Sequence, residues 1–260
     1  MKVFNQSIPL PNSNCNLFIK REDLIHPFVS GNKFRKLKYN LLQAKEEKQH
    51  CLLTFGGAYS NHIAAVAAAG KEYGFKTIGV IRGEELKLKW GDFYLIPEGG
   101  TNDLAIKGCE EILNEEDSYF DFICCPVGTG GTISGLINSA KSHQKILGFP
   151  ALKGDFLKEE ICKFVTNQNW ELLSQFHFGG YAKTTPELID FLNTFFKQTG
   201  ILLDPIYTGK MVFGVIDLIK KNYFPKDANV LMIHTGGLQG IEGMNMKLQK
   251  LHSTLLLKDV

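Results

Sequence analysis

The sequence has no apolar run near the roughly 18 residues that a membrane span requires; the nearest, 63–70, is far too short. Its first residues, Met1-Lys2-Val3-Phe4-Asn5-Gln6-Ser7, lack the apolar core and small-residue cleavage site of a secretory signal, so a cytoplasmic location and no membrane partner are expected. Excess charge is also missing. Lys and Arg total 29 against 27 Asp and Glu, and a net charge of +2 gives no field that would draw nucleic acid or an anionic membrane. Small anions remain possible ligands. The six cysteines (Cys15, Cys51, Cys109, Cys124, Cys125, Cys162) form no CxxC pair, so neither a metal site nor a redox dithiol is expected. There is no internal repeat, low-complexity tract or obvious linker.

What is present is an ordinary globular composition, 44% hydrophobic and 22% charged, in 260 residues, enough for one large or two modest domains. Short apolar runs alternate with longer helical patterns, which is the sequence form of an α/β protein with open, largely parallel sheets and helices on both faces. Strands are predicted at 17–20, 51–55, 77–81, 93–96, 122–127, 145–149, 170–176, 201–203 and 229–234. Helices are predicted at 33–48, 59–74, 102–116, 130–143, 156–167, 186–200 and 210–222. In the first of these, Phe34, Leu37, Leu41 and Ala44 share a face at spacings of three and four. Breaks near Leu37 and Tyr119 divide the chain into a discontinuous larger domain (1–36 plus 120–260) and a smaller one (37–119).

Three strand-to-helix turns are glycine-rich, and each would aim backbone N–H groups and a helix N-terminus at whatever lies beyond the carboxyl edge of the sheet. Val127-Gly128-Thr129-Gly130-Gly131-Thr132 is the most specific. It lacks the Gly-Lys-Ser/Thr of a nucleotide loop, and Ile133 stands where the dinucleotide fingerprint needs glycine, which leaves a monophosphate or a plain packing turn. In Phe55-Gly56-Gly57-Ala58-Tyr59-Ser60-Asn61-His62, Ser60 and Asn61 fall at a helix start, as an ordinary cap or as site residues. His62 has no second histidine or carboxylate at triad or metal spacing. In Gly31-Asn32-Lys33-Phe34-Arg35-Lys36-Leu37-Lys38, four cations in six residues read as a solvated helix face. Lys33 differs by its place in the first turn, where the helix dipole lowers the pKa of an amine that must be neutral to attack an aldehyde.

These stretches occur in a fixed order with Lys20-Arg21-Glu22-Asp23, Ile96-Pro97-Glu98-Gly99-Gly100-Thr101-Asn102, Asp204-Pro205-Ile206-Tyr207-Thr208-Gly209-Lys210 and His234-Thr235-Gly236-Gly237. In this the chain resembles the 1-aminocyclopropane-1-carboxylate deaminase / D-cysteine desulfhydrase family, enzymes that use pyridoxal 5'-phosphate on the type II, tryptophan-synthase-β-like fold. The resemblance runs from about residue 17 to 240. It implies that Lys33 forms the Schiff base with the cofactor and that Asn61 contacts its ring oxygen. Gly128, Thr129, Gly130, Gly131 and Thr132 would cradle its phosphate. Ser60, with Asn61 and His62, would meet the carboxylate of a small amino-acid substrate, and Ser60 would assist proton transfer. Tyr207 matches an active-site tyrosine, and Tyr181, in Phe178-Gly179-Gly180-Tyr181, matches a second. Family members are commonly dimers, so a homodimer is expected.

Thr208 stands where the cyclopropane-opening members resemble one another in having glutamate. A threonine can hydrogen-bond the ring nitrogen but cannot hold a proton on it, which favours D-cysteine desulfhydrase-like β-elimination to a 2-oxo acid, ammonia and sulfide. 1-Aminocyclopropane-1-carboxylate deamination and cofactor binding without turnover are the alternatives. A phosphoanion binder is a third reading, resting on the glycine turns alone. Between Glu85 and Phe93 only Leu86-Lys87-Leu88-Lys89-Trp90-Gly91-Asp92 intervenes, where the family it resembles has a further helix and strand. The smaller domain is therefore expected to be shortened, and closure over the substrate to suffer.

Overall fold

The computed structural model describes residues 3–11, 13–57, 60–81 and 92–258. The expected shortening falls largely on residues 82–91 and so lies outside them. The elements run β1 (Asn5–Ser7), β2 (Asn16–Lys20), α1 (Asn32–Glu46), β3 (Cys51–Gly56), α2 (Asn61–Tyr73), β4 (Lys76–Ile81), β5 (Tyr94–Ile96), α3 (Asp103–Glu110), β6 (Phe122–Val127), α4 (Gly131–Ser139), β7 (Lys145–Pro150), α5 (Phe156–Cys162), β8 (Trp170–Leu172), α6 (Pro186–Thr199), α7 (Thr208–Lys220), β9 (Asn229–Ile233) and α8 (Gly240–Lys250).

The strands form two sheets. One has six strands in the order β1-β2-β9-β6-β7-β8, and the other three in the order β4-β3-β5. All pairings are parallel except β1 with β2. The larger sheet is apolar on both faces because helices cover both. Val230 and Met232 of β9 join the core built with α6, α7 and α8, while the alternating Leu231 and Ile233 join the core built with α4 and α5. In the smaller sheet Leu52 and Ile96 pack with Leu37, Leu41 and Ala44 of α1 and Ala65, Val66 and Ala69 of α2. Helix α3 touches both α1 and α4.

Strand 122–127 matches its expected bounds, and most others agree to within a residue. Five expected segments need correction. Residues 201–203 are not a strand: Ile201 and Leu203 are buried, but the segment leaves the left-handed cap of α6 at Gly200 and enters Asp204, which caps α7. The strand expected over 170–176 stops at Leu172 and gives way to a 3-10 turn, Ser174–Phe176. The helices expected over 102–116, 130–143 and 156–167 end early, at Glu110, Ser139 and Cys162. Strand β1 and helix α8 were not expected at all.

From β6 the chain steps outward to β7 and β8, then returns on the other side of β6 as β9, beside β2. The strand order therefore reverses between β6 and β9, and in open α/β sheets the crevice at the carboxyl ends of such strands is where ligands bind.

Candidate active site

A cavity of about 450 Å³ opens at that point. Gly128, Thr129, Gly130 and Thr132 follow β6, Thr235, Gly236 and Gly237 follow β9, and Gly57, Ser60, Asn61 and His62 follow β3. One wall thus comes from each sheet. The first turns of α1, α2 and α4 and the start of α7 all border it, so four helix N-termini contribute positive potential. Most of the expected site residues meet here: Lys33, Ser60, Asn61, His62, Gly128, Thr129, Gly130, Thr132, Tyr181 and Tyr207 line the cavity. Gly131 and Thr208 do not.

Lys33 is placed by its neighbours. Gly31 has φ of 62°, and a Cβ there would stand 2.0 Å from the carbonyl oxygen of Thr235, so only glycine lets the start of α1 pass this close to the end of β9. Asn32 then donates to Thr132 Oγ1 at 2.8 Å, tying α1 to the first turn of α4. Burial lowers the pKa of Lys33 to about 7, with the Lys36 ammonium as the second cause. The lowering expected from sequence is present, with desolvation and a neighbouring cation as its causes.

The cation run is not a solvated face. Lys36 is buried; its Nζ donates to the Gly99 carbonyl (2.9 Å) and to Thr101 Oγ1 (3.1 Å), and it lines the cavity. Arg35 is half-buried and pairs with the buried Glu22, and of the four cations only Lys38 is exposed, paired with Glu111. The place of Gly131 is now clear: a Cβ on it would lie 3.0 Å from Lys36 Nζ and 2.8 Å from Thr101 Oγ1. It makes room for the lysine behind the Gly128–Thr132 turn.

Ser60 caps α2 by accepting from the Ile63 amide at 3.3 Å, which leaves its hydroxyl hydrogen to donate. His62 is buried with Nε2 2.8 Å from Thr54 Oγ1, and burial, then Lys33 and Lys36, lower its pKa to about 2, so it stays neutral. Asn61 Oδ1 and His62 Nδ1 are buried polar atoms with no hydrogen-bond partner among the described residues. Such atoms are costly unless a ligand pairs them.

Burial, then the Tyr181 side chain, pushes the Tyr207 phenol well above its ordinary value, so it remains protonated. Its ring lies 6.2 Å from that of Tyr181. Asp204 accepts from the amides of Ile206, Tyr207 and Thr208 and so fixes the start of α7. Thr208 is fully buried behind the wall, its Oγ1 3.1 Å from Thr235 Oγ1, and Thr235 is the hydroxyl that faces the cavity. Sequence reasoning missed Lys36 and Thr235. Spacing held a signal for Lys36, which is one turn beyond Lys33, but nothing in His234-Thr235-Gly236-Gly237 alone marked the threonine.

Comparison with known proteins fits this geometry. The family described as pyridoxal-phosphate dependent enzyme matches residues 80–236. A Thermotoga maritima protein provisionally named 1-aminocyclopropane-1-carboxylate deaminase is 29% identical, covering 90% of this chain and 92% of its own length. Its matched span of 291 residues exceeds the whole of this chain, so it carries residues with no counterpart here. The mitochondrial bifunctional D-cysteine desulfhydrase/1-aminocyclopropane-1-carboxylate deaminase of Arabidopsis thaliana is 29% identical over 89% of this chain and 74% of its own. Among solved structures, an ACC deaminase homologue superposes with a TM-score of 0.82 at 26% identity, covering 96% of this chain and 94% of that one.

Proposed function

Because the chain belongs to the pyridoxal-phosphate dependent enzyme family, we propose that it is a lyase acting on a small amino acid, most closely of the D-cysteine desulfhydrase kind. The fold is the type II arrangement of that family, and pyridoxal phosphate is its cofactor. The residues present fit the group. A half-buried lysine with a pKa of about 7 stands in a cavity bordered by helix N-termini, and the amide of Asn61 has an unpaired end there.

When bound, the cofactor supplies an aldehyde for amines and a ring that withdraws electrons from Cα. In this reading Lys33 holds it and, being half neutral near pH 7, can take and return the Cα proton. The Gly128–Thr132 turn, with Lys36 behind it, binds the phosphate through backbone N–H groups and a buried positive charge. Asn61 orients the ring. Ser60 donates to the substrate carboxylate, with the α2 N-terminus beside it. Tyr207 stays a phenol, so it serves as a hydrogen-bond donor or acid towards a leaving group and not as a base.

The β-elimination reading is carried by the Thr208–Thr235 pair: the side chains at this edge of the cavity are neutral hydroxyls. The neighbouring carboxylate, Asp204, is occupied by three backbone amides. Deamination of 1-aminocyclopropane-1-carboxylate is the second reading, favoured by the names of the relatives. We place the missing segment of this chain between residues 85 and 93, and the domain boundaries near 37 and 119.

The test is direct. Purified protein loaded with pyridoxal phosphate should show the visible absorbance of a lysine-bound cofactor, and Lys33→Ala should abolish it. Sulfide and pyruvate should then appear from D-cysteine faster than 2-oxobutyrate from 1-aminocyclopropane-1-carboxylate. The opposite ranking would favour the second reading, and cofactor binding without either product would refute turnover.

A further inference from the structure

Tyr181 reaches the cavity from a loop whose backbone is unusual. Between His177 and Lys183 the chain makes two consecutive turns. The first is closed by the Gly180 amide donating to the His177 carbonyl (3.0 Å), the second by the Lys183 amide donating to the Gly180 carbonyl (3.2 Å). Phe178 and Ala182 both lie in the left-handed region, at φ of 52° and 53°. Non-glycine residues hold that conformation only where surrounding contacts enforce it.

The enforcing contact comes from α7. Lys210, in its first turn, is buried to 1% exposure, yet its Nζ pairs with no carboxylate among the described residues: it donates to the His177 carbonyl at 2.9 Å and to the Gly180 carbonyl at 2.8 Å. These are the two carbonyls that close the two turns. A single ammonium therefore bridges both, and Tyr181 follows the second of them directly. Lys210 is also three residues from Tyr207, whose ring faces that of Tyr181. The first turn of α7 sets one tyrosine directly and the other through this lysine.

We propose that Lys210 is a positioning residue: its ammonium pins the 177–183 loop and so holds Tyr181 at the rim of the cavity beside Tyr207, where it meets the substrate. This rests on the reading of the cavity as the amino-acid lyase site. Tyr181 suits the role, being 42% exposed while lining the cavity. Burying a cation costs free energy that a methionine of similar length would not, so its retention here has to be balanced by what it holds. Lys247 adds a lesser clip, donating to the Ala182 carbonyl at 3.2 Å from the surface of α8.

Three variants test this: Lys210→Met, Lys210→Arg and Tyr181→Phe, each alone, with Lys210→Met also combined with Tyr181→Phe. Both carbonyls keep their amide donors in Lys210→Met, and the new side chain is apolar, so the variant is expected to fold and to bind pyridoxal phosphate. Hydrogen exchange at the Gly180 and Lys183 amides should accelerate in Lys210→Met by about tenfold or more, the size of a charge-assisted hydrogen bond, and should be partly restored in Lys210→Arg. kcat/KM should fall by a similar factor, and the double variant should be little worse than Tyr181→Phe alone. Unchanged exchange at these amides would overturn the proposal, and so would losses that multiply in the double variant. The exchange measurement needs no turnover. It tests the hold of Lys210 on the loop even if the lyase reading fails.

Discussion

At the scale of single residues, the features that equip Lys33 for chemistry make it a liability for folding. Its ordinary value near 10.5 falls to about 7 in the folded protein, through burial and the Lys36 charge. Between about pH 7 and 10.5 the unfolded chain therefore holds a proton that the folded one lacks. Stability contributed at this position rises with pH across that window, and below it the full cost of the buried charge is present. Lys33→Met is expected to stabilise the cofactor-free protein at pH 6 by on the order of a few kcal/mol. The gain should shrink towards zero near pH 10, as urea melts at pH 6, 8 and 10 would show. An equal gain at all three would mean that packing, not charge, is responsible. The residue scale is also where sequence reading did least well. Lys36 was hidden in a run of cations whose usual meaning is a solvated face. Neither its burial nor the cleft beside it is encoded within ten residues of it, since Gly99 and Thr101 supply its partners.

At the scale of elements, the site depends on how closely α1 can approach α3. A Cβ on Gly108 would fall 2.0 Å from the carbonyl oxygen of Arg35, so the two helices touch backbone to backbone. Arg35 is flanked in the same turn by Lys33 and Lys36, and any displacement of α1 moves both amines. Gly108→Ala is expected to destabilise the protein by about 1–3 kcal/mol, or more if the helices cannot part, and to weaken cofactor binding with it. Thermal melts and a pyridoxal phosphate titration of the same sample check the two effects together. Elements with a long periodic signal were legible: β6 follows its apolar run, and Leu37, Leu41 and Ala44 of the expected stripe are buried on α1, although Lys36 and Asn40 share that burial and Phe34 is only partly covered. The apolar triplet at 201–203 was misread because three residues cannot distinguish a strand from a buried connection. Helix α8 could have been found, since its buried residues Ile241, Met244 and Leu248 are spaced by three and four. Its polar neighbours and two glycines masked that stripe.

At the scale of the whole molecule, the cavity is legible only as topology. The three glycine turns could be read locally because glycine, cap residues and helix start sit side by side in sequence. Their convergence required the return of β9 to the far side of β6 and the placement of the three-stranded sheet opposite, neither of which any local pattern specifies. One consequence concerns cooperativity. A ligand in this cavity contacts the first turns of α1 and α2, which pack on the small sheet, and of α4 and α7, which pack on the large one. Occupancy should therefore stabilise both sheets together. Pyridoxal phosphate at a hundred times its dissociation constant is expected to add about 2.7 kcal/mol and to raise Tm by about 5–10 °C for a chain of this size. The transition should remain single. Inorganic phosphate, which can engage the Gly128–Thr132 turn but not Lys33 or Asn61, should shift it far less. Differential scanning calorimetry with each ligand distinguishes the outcomes. A shift confined to one of two resolved transitions would show that the cavity belongs to one sheet alone, and equal shifts with both ligands would show that the phosphate turn, without the lysine, accounts for the binding.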